Sequence, residues 1–404
     1  MNLTHRKNLY ILAFTLVVVM LGFGMVIPIF PFFIQRLGAS GSALGLLVAI
    51  SALTEFLFGP LWGGISDQTG RKPILMIGML GYGLSMLLFG LSTDLWMLFT
   101  SRALSGVLSS ATMAAAMAYI GDSTPGKSRG GGMGLIGAAA GVGTIIGPGI
   151  GGLLAGESLS TPFFFAAGMS LVSLALIALL LPESLPRRAR AERGKAQVLP
   201  LRELGQAVGS GSPIRLLLLL AFLATFGTSN FESVFGLYML VKLDYGPEHV
   251  GAILTMVGVV ALLGRGVLTG VVTQRWGEAA VIRASLLAGS AGFVFLLLAD
   301  QFATVLLATG LFVFATTFLR PSIHSLTSQR AQVGQGSAMG LSNAFVSLGR
   351  VAGPIWAGAI FDLNLSLPYA SGAVIMLLLY FISRDWVTPA AAHGMPIATS
   401  PYDQ

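Results

Sequence analysis

The stretch Gly63-Gly-Ile-Ser-Asp67-Gln-Thr-Gly70-Arg71-Lys72 is a short polar segment between two long apolar ones. An acid at the end of one helix and an Arg-Lys pair at the start of the next can clamp the two helices through charge and helix-end dipoles. The glycines permit the tight turn between them. We therefore predict a helix–turn–helix joint formed by Gly63, Asp67, Gly70, Arg71 and Lys72.

The composition around this segment excludes a soluble protein. Of the 404 residues, 54% are hydrophobic and only 10% are charged, whereas soluble chains carry about 25% charged residues. So few charges cannot cover the surface of a globule of this size, so the apolar excess must face a bilayer.

Residue usage also excludes several chemistries. The chain has no cysteine, and its four histidines are scattered without metal-ligand spacing. Thiolate clusters and disulfides are therefore absent, and metal catalysis is not expected. We predict no metal, no cofactor and no enzymatic activity.

Apolar stretches of the length that crosses a bilayer, about 20 residues, recur along the chain. Five contain no charged residue, namely 8–35, 73–93, 130–156, 158–182 and 363–383. Seven more tolerate an occasional charge, at roughly 43–65, 95–119, 214–240, 250–273, 279–299, 301–325 and 336–360. The sequence predicts an all-α membrane protein with twelve transmembrane helices.

The basic residues predict the orientation of these spans. The side that holds both termini and the loops after even-numbered spans carries 16 of them, and the other side carries only Arg36 and Lys242. The positive-inside rule then places both termini in the cytoplasm, with the protein in the cytoplasmic membrane. The net charge of +7 thus reflects topology, so no nucleic-acid partner is predicted.

An internal repeat divides the chain. A shift of 206 residues aligns Met133-Gly134-Leu135 with Met339-Gly340-Leu341, and Gly147-Pro148 with Gly353-Pro354. Because the shift corresponds to six spans, both copies have the same orientation, with the site expected between them. We predict two pseudo-symmetric six-helix bundles, residues 1–182 and 213–385, with a cytoplasmic linker at 183–212 and a cytoplasmic tail at 386–404.

The fifth span carries a glycine-rich pattern around a proline. Its residues are Gly143, Gly147, Pro148, Gly151 and Gly152. Glycines four apart allow helices to approach closely, and proline bends a helix. The pattern predicts either a plain packing seam or a hinge between the halves that limits leakage.

Three motifs resemble those of a known family. The Gly63 to Lys72 segment resembles the signature of the major facilitator superfamily, with a degenerate echo at Gly270 to Gly277 that lacks the acid. The pattern in span five resembles the antiporter motif of that family. Arg102 with Gly106 in span four resembles a third motif, found in twelve-span drug/proton antiporters, whose arginine takes part in proton coupling. The resemblance to the multidrug and quinolone exporters of Gram-positive bacteria covers nearly the whole chain and implies the fold of that superfamily.

Six charges fall well inside the predicted spans, where they are costly and usually functional. They are Glu55, Arg102, Glu232, Arg265, Arg320 and Arg350. Glu232, on an apolar helix face, is the first candidate for carrying a proton, and Glu55 is the second. The alternative for either acid is a structural ion pair. Arg265 is expected to snorkel to the cytoplasmic end of its span.

A substrate cavity is predicted from polar and aromatic faces. Thr317 and Arg320 share a face of span ten, and Asn343 and Arg350 share a face of span eleven. Flat substrates would stack on aromatic side chains, although each of these is also a candidate for plain packing; they are Phe30, Phe231, Phe235 and Tyr238.

Together these features predict a monomeric, proton-coupled exporter of amphipathic drugs that works by alternating access, with protons and membrane lipid as further partners. One alternative is an exporter of an anionic or lipid-like metabolite such as a siderophore, a lysolipid or a tetracycline-like chelate, which the arginine excess favours. Another is an ATP-driven pump, because Gly121 to Ser128 matches a phosphate-binding loop. That loop would have to follow a buried strand, and here it follows a predicted membrane helix.

Overall fold

A computed structural model describes residues 3–123, 129–185, 214–331 and 335–387. The predicted linker and tail lie largely outside these ranges. The helices are α1 (Leu3–Arg36), α2 (Gly41–Thr69), α3 (Arg71–Gly90), α4 (Leu95–Ser123), α5 (Arg129–Ala155), α6 (Thr161–Leu180), α7 (Arg215–Leu243), α8 (Pro247–Leu263), α9 (Thr269–Leu298), α10 (Phe302–Thr316), α11 (Leu319–Arg330), α12 (Gln335–Phe361) and α13 (Leu367–Val387). A π-helical segment, Gly264–Leu268, joins α8 to α9.

Helix ends follow local sequence chemistry. Ser40 caps α2, its side chain accepting a hydrogen bond from the Ala43 backbone N–H. Gly70 separates α2 from α3 with a φ of 110°, which favours glycine. Asp244 ends α7 in the left-handed region, and Pro247 lies in the first turn of α8, where its missing N–H costs nothing.

The helices make twelve membrane crossings. Eleven stretches among the described residues are long and apolar enough to span a bilayer, and one of them, Pro247–Leu298, is 52 residues long. At 1.5 Å per residue it would reach about 78 Å, far beyond the roughly 30 Å of a bilayer core. Gly277, with a φ of 74° and a ψ of 153°, breaks it into two crossings. The predicted all-α fold with twelve spans is confirmed.

The crossings form two six-helix bundles. The principal contacts between the bundles join α1, α2 and α5 of the first to α7, α8 and α12 of the second. We call the end of the molecule near the N-terminus of α1 the near end, and the opposite end, where α1 ends and α2 begins, the far end.

The hydrophobic clusters show where the bundles meet. Two clusters at the far end mix the halves: one places Phe32 of α1 among residues of the second half, and the other places Leu237 of α7 among residues of the first. The two main near-end clusters, around Leu12 and around Leu286, each draw their described members from a single half. Among the described residues, the cleft between the bundles is therefore closed at the far end, and the near end has no hydrophobic cluster that bridges the halves.

The contacts that close the far end are related to each other by the internal repeat. A methyl group on Gly45 of α2 would overlap the Pro354 carbonyl of α12, and one on Gly251 of α8 would lie 2.5 Å from the Pro148 carbonyl of α5. The shift of 206 residues that aligns the halves converts one pair into the other. The sequence repeat is therefore also a repeat of inter-bundle contacts.

Candidate substrate and proton site

The six charges inside the spans come together in the cleft. Arg102 interacts electrostatically with Glu55 and Arg350, and Arg320 interacts with Arg350, Arg265 and Glu232. All but Arg102 have exposed side chains. Arg102 lies in the first third of α4 and the other five lie nearer the middle of their spans, so all six lie within the membrane-spanning part of the protein, where such charges are usually functional.

Arg102 is the enclosed member of this site. Its side chain is only 3% exposed, and its guanidinium lies 4.8 Å from the ring centroid of Phe30 and 5.4 Å from that of Phe23. Among the residues that the structure describes, its Nε finds no hydrogen-bond partner. Cation–π contacts of this kind partly replace the lost hydration. Arg102 therefore keeps a buried positive charge beside Glu55 without an ion pair.

Gly106 sets the distance between Arg102 and Glu55. A methyl group on Gly106 of α4 would overlap the Thr54 hydroxyl of α2 and lie 2.8 Å from the Ser51 carbonyl. Only glycine permits this approach, which brings α4 onto the turn of α2 that carries Glu55. The pairing of Arg102 with Gly106 in the sequence thus has a steric reason.

Glu232 lies on α7, with an exposed side chain rather than in a closed apolar pocket. Its helix is held against α12 one turn away, where Gly353 contacts Ser229. No ion pair within 4.0 Å forms at Glu232 or Glu55 among the residues that the structure describes. Both acids are therefore exposed and without an ion pair in the described part of the chain, and their role in proton coupling stays a prediction.

Spans eight and ten are irregular where they meet. The π-helical segment carries Arg265, and α10 gives way to α11 at Thr317. The Arg265 Nε donates a hydrogen bond to the buried Thr317 hydroxyl at 3.1 Å. Arg265 therefore does not snorkel to the end of its span as predicted; it is anchored in the site, and π segments are frequent at functional sites.

Arg320 and Arg350 project from neighbouring helices into the same space. The Arg320 Nε lies 3.4 Å from His324 Nε2, and His324 Nδ1 lies 3.4 Å from the Ser342 hydroxyl of α12. Asn343, next to Ser342, is exposed, as is Arg350 two turns further along α12. The predicted polar faces of spans ten and eleven therefore meet through His324.

The predicted aromatic residues are buried in this conformation. Phe231, Phe235 and Tyr238 lie in the far-end cluster of the second half, and Phe30 lies in that of the first. The centroids of Phe231 and Phe235 are 4.8 Å apart, and Tyr238 meets Tyr369 edge-on at 4.5 Å. Their role in holding substrate stays a prediction, since they form the floor of the cleft rather than its open walls.

The signature segment forms a clamp that is wider than predicted. Arg71 is 2% exposed and pairs with Asp67 at 2.6 Å and with Asp122 of α4 at 2.9 Å. Glu183, which follows α6, accepts hydrogen bonds from the backbone N–H groups of Arg71 and Lys72. The clamp therefore ties four spans of the first half together, although the sequence indicated only two.

The equivalent joint in the second half has an acidic residue, Glu278, at the position of the basic Arg71. Gly277 and Gly70 both have a positive φ, 74° and 110°, and Glu278 stands where Arg71 would fall at a shift of 207. A Glu278 oxygen accepts hydrogen bonds from Ser325 and Gln329, each at 2.8 Å, and Gln329 is the counterpart of Asp122. The second half thus uses a weaker, uncharged partner at the equivalent joint.

The glycine pattern of span five has two faces. Gly143, Gly147 and Gly151 lie against the backbone of α1 within the first half, while Gly152 lies against Pro247 and Gly251 of α8 in the other half. The packing seam is therefore present, and the hinge between the halves stays a prediction. One face is a packing seam, and the other belongs to the interface between the halves.

This architecture, with two duplicated six-helix bundles around a charged cleft, is that of a membrane transporter. The sequence profile of the Major Facilitator Superfamily matches residues 12–267 and 217–394. The chain belongs to the Major Facilitator Superfamily. It is a multi-pass membrane transporter and not an enzyme, as predicted.

Relatives match along almost the full length. The chain is 32% identical to Multidrug resistance protein 2 of Bacillus subtilis, over 95% of this chain and 96% of the relative. It is 32% identical to Multidrug resistance protein 1 of the same organism, over 96% and 98%. It is 30% identical to the quinolone resistance protein NorA of Staphylococcus aureus, over 92% and 96%. The predicted resemblance to Gram-positive exporters is confirmed.

Solved structures share the fold at lower identity. A bacterial homolog of the human lysosomal transporter Spinster aligns with a TM-score of 0.78 and 16% identity, over 96% of this chain and 97% of that one. The nucleoside transporter NupG aligns with a TM-score of 0.79 and 15% identity, over 96% and 100%. The human organic anion transporter MFSD10 aligns with a TM-score of 0.67 and 22% identity, over 95% and 99%.

Proposed function

We propose that the protein is a proton-coupled exporter of amphipathic small molecules that works by alternating access. The observation that carries this proposal is the position of Glu232, an acid at mid-membrane depth, exposed to a cleft that is closed at one end. The names of the relatives, which refer to multidrug and quinolone resistance, support export of drug-like compounds.

The orientation follows from the basic residues. The near end carries most of them, including Arg71, Lys72 and Arg275, so the positive-inside rule places it in the cytoplasm. The cleft is then open to the cytoplasm, where an exporter takes up its substrate. We propose that both termini are cytoplasmic and that the protein acts as a monomer in contact with membrane lipid.

Proton coupling is assigned to Glu232, Glu55 and Arg102. A proton entering from the outside neutralises Glu232, and its release to the cytoplasm leaves a carboxylate that can hold the positive end of a substrate. Arg102 interacts electrostatically with Glu55, so we assign it to the same machinery, with Glu55 as the second acid.

Alternating access would make and break the two glycine–proline contacts between the halves. The Gly45–Pro354 and Gly251–Pro148 contacts close the far end, and the clamp around Arg71 keeps the first half rigid. Rocking the two bundles would separate the far-end contacts and close the near end. Substrate would then leave on the far side. We propose that the predicted cavity residues form its binding surface during this change.

Export of a dedicated anionic or lipid-like compound is a second candidate, since four arginines face two glutamates in the cleft. The ATP-driven alternative loses support, because Gly121 lies in the last turn of a membrane helix, α4, and does not follow a strand. Asp122 of the same segment is engaged with Arg71. The remainder of that segment, residues 124–128, lies outside the described residues.

The test is transport of a fluorescent amphiphile into proteoliposomes under an imposed pH gradient. Glu232→Gln should abolish gradient-driven transport, because the variant cannot release a proton, while Glu157→Gln in a far-end loop should transport normally. Both variants should elute and melt as the parent does. Undiminished gradient-driven transport by Glu232→Gln would overturn the assignment.

A further inference from the structure

A pocket lies between the two halves at the far end, where α1 ends, outside the charged cleft. It has a volume of about 600 Å³, within the range of about 300 to 1,000 Å³ that small-molecule sites occupy. We call it the far-end pocket, and its lining includes Phe32, Arg36, Ala155, Gly156 and Leu159 of the first half and Glu248 of the second. Transport through the cleft leaves this space without a role.

The internal repeat relates the far-end pocket to a filled space on the other side of the interface. There, a methyl group on Gly41 would lie 2.9 Å from the Asp362 carboxylate and 3.0 Å from the Phe361 ring. At the shift of 206 residues, Gly156 and Ala155 stand in place of Asp362 and Phe361. Both are much smaller, so the chain leaves open on one side the space that its own side chains fill on the other.

Two opposite charges line the far-end pocket from opposite halves. Arg36 ends α1, and Glu248 lies in the first turn of α8. Both side chains are exposed, and within the described ranges no ion pair within 4.0 Å joins them. Glu248 Oε1 lies 3.1 Å from Nδ1 of His249 on its own helix. Neither charge is neutralised across the interface, so a ligand with both signs of charge would bridge the halves.

The apolar wall of the far-end pocket belongs to the contacts that close the far end. Phe32 of α1 lies in the hydrophobic cluster of the second half, and Leu159 packs against both far-end clusters. Separating the bundles at this end would move these residues away from Glu248 and dismantle the pocket. A ligand bound here therefore favours the closed far end, because the complete pocket exists only in that state.

We propose that the far-end pocket binds short zwitterionic peptides and that a bound peptide holds the far end closed. Arg36 binds the peptide carboxylate, Glu248 binds its ammonium group, and Phe32 and Leu159 receive an apolar side chain. A dipeptide has its two charges at opposite ends and can carry an apolar side chain between them. The proposed orientation places the pocket outside, so external peptides would inhibit the export cycle. The site itself does not depend on which compounds are exported.

Three dipeptides that differ only in charge test the site. Phenylalanyl-leucine carries both charges, its N-acetyl form keeps only the carboxylate, and its C-terminal amide keeps only the ammonium group. Isothermal titration calorimetry on the purified protein gives the three dissociation constants. We expect phenylalanyl-leucine to bind about fivefold more tightly than either derivative, the effect of one exposed charge pair.

Variants assign each charge to its partner. Arg36→Gln should weaken phenylalanyl-leucine binding about fivefold and leave the amide, which has no carboxylate, within about twofold. Glu248→Gln should weaken it by a similar factor and leave the N-acetyl form unchanged. The retained binding of these derivatives shows that both variants are folded. Asp94→Asn, in the far-end loop between α3 and α4, should change none of the three affinities.

The effect on conformation is measured in Asp362→Ala, which lacks the carboxylate on the other side of the interface. The chain has no cysteine, so spin labels on Leu91→Cys and Leu298→Cys report the distance between the halves at the far end. Saturating phenylalanyl-leucine should shift this distribution toward the shorter distances of the closed far end. An unchanged or longer distance would overturn the proposed effect of the peptide.

Equal affinity for the three dipeptides, or an equal loss of all three in Arg36→Gln, would overturn the binding site. Weaker binding of phenylalanyl-leucine in Arg350→Gln but not in Arg36→Gln would place the peptide in the charged cleft and would also overturn it. Selective binding that depends on Arg36 and Glu248, without any pH-driven transport in proteoliposomes, would support this inference and refute the proposed export function.

Discussion

Asp362, just after α12, caps the first turn of α2 in the opposite half through Ser42. One Asp362 oxygen accepts a hydrogen bond from the Gly41 backbone N–H at 2.6 Å, and the other accepts one from the Ser42 backbone N–H at 2.9 Å and from the Ser42 hydroxyl. A carboxylate at a helix N-terminus is stabilised by the helix dipole. The contact is a latch between the halves that must break when the far end opens.

Removing the latch should favour opening at the far end. Asp362→Ala loses a capping interaction worth about 0.5 to 1 kcal/mol at this exposed position, or roughly two- to fivefold in the ratio of open to closed states. The chain has no cysteine, so spin labels on Leu91→Cys and Leu298→Cys report the far-end distance between halves. Asp300→Ala is the matched control and should leave the distance distribution unchanged, and an unchanged distribution in Asp362→Ala would refute the latch.

The latch should be insensitive to pH in the physiological range. Burial alone would raise the pKa of Asp362, but hydrogen bonds from Ser42, Gly41 and Ser40 outweigh it and lower the pKa. A lowered pKa means that the stabilisation is fully present above the ordinary aspartate pKa, about 4, and is lost as the pH falls through the lowered value. The far-end distance should therefore stay constant between about pH 5 and 8 in a Glu55→Gln, Glu232→Gln background. A transition within that range would contradict this account.

The two glycine–proline contacts between the halves, at Gly45 and at Gly251, should respond in the same way to an added methyl group. Gly45→Ala and Gly251→Ala each place a methyl group against a proline carbonyl of the other half, and overpacking of this kind costs about 1 to 3 kcal/mol. Each should lengthen the distance between the far-end labels. Gly59→Ala on α2, where a methyl group meets nothing within 4 Å, should not. A change of that distance in opposite directions in Gly45→Ala and Gly251→Ala would contradict this equivalence of the two contacts.

Arg71 should matter more for stability than its neighbour Lys72. Arg71→Gln removes the guanidinium that pairs with Asp67 and Asp122 and should cost about 2 kcal/mol, less than a fully buried pair because Asp67 is partly exposed. Lys72→Gln removes one hydrogen bond to the Ala178 carbonyl and should cost about 1 kcal/mol. Thermal unfolding monitored by size-exclusion chromatography ranks the two, and the reverse order would refute the clamp.

The fold could be predicted from the sequence because the hydropathy, the charge of the loops and the internal repeat each constrain it independently. The break at Gly277 matched the predicted boundary between two spans, since it repeats Gly70. The wider clamp could not be predicted, because Asp122 and Glu183 lie on other spans and their distance to Arg71 is set by packing.

The candidate site was only partly predictable for a related reason. In-span charges stand out against an apolar background, so the sequence identified all six, but it could not tell which face each helix turns to the cleft. Arg265 was predicted to snorkel because it lies within reach of the end of its span. The sequence did not indicate that its Nε donates a hydrogen bond to Thr317. The aromatic residues depend on conformation, since a closed far end buries Phe231 and Phe235.

The exchange of a proton for substrate at Glu232 is tested most directly by proton release. A cationic fluorescent amphiphile, rhodamine 123, is added to the purified protein in weakly buffered solution, and the released protons are followed with a pH indicator. We expect proton release from the parent and from the Glu157→Gln and Arg275→Gln variants, and none from Glu232→Gln, which has no carboxyl proton at that position. Release of the same size from Glu232→Gln would contradict the exchange.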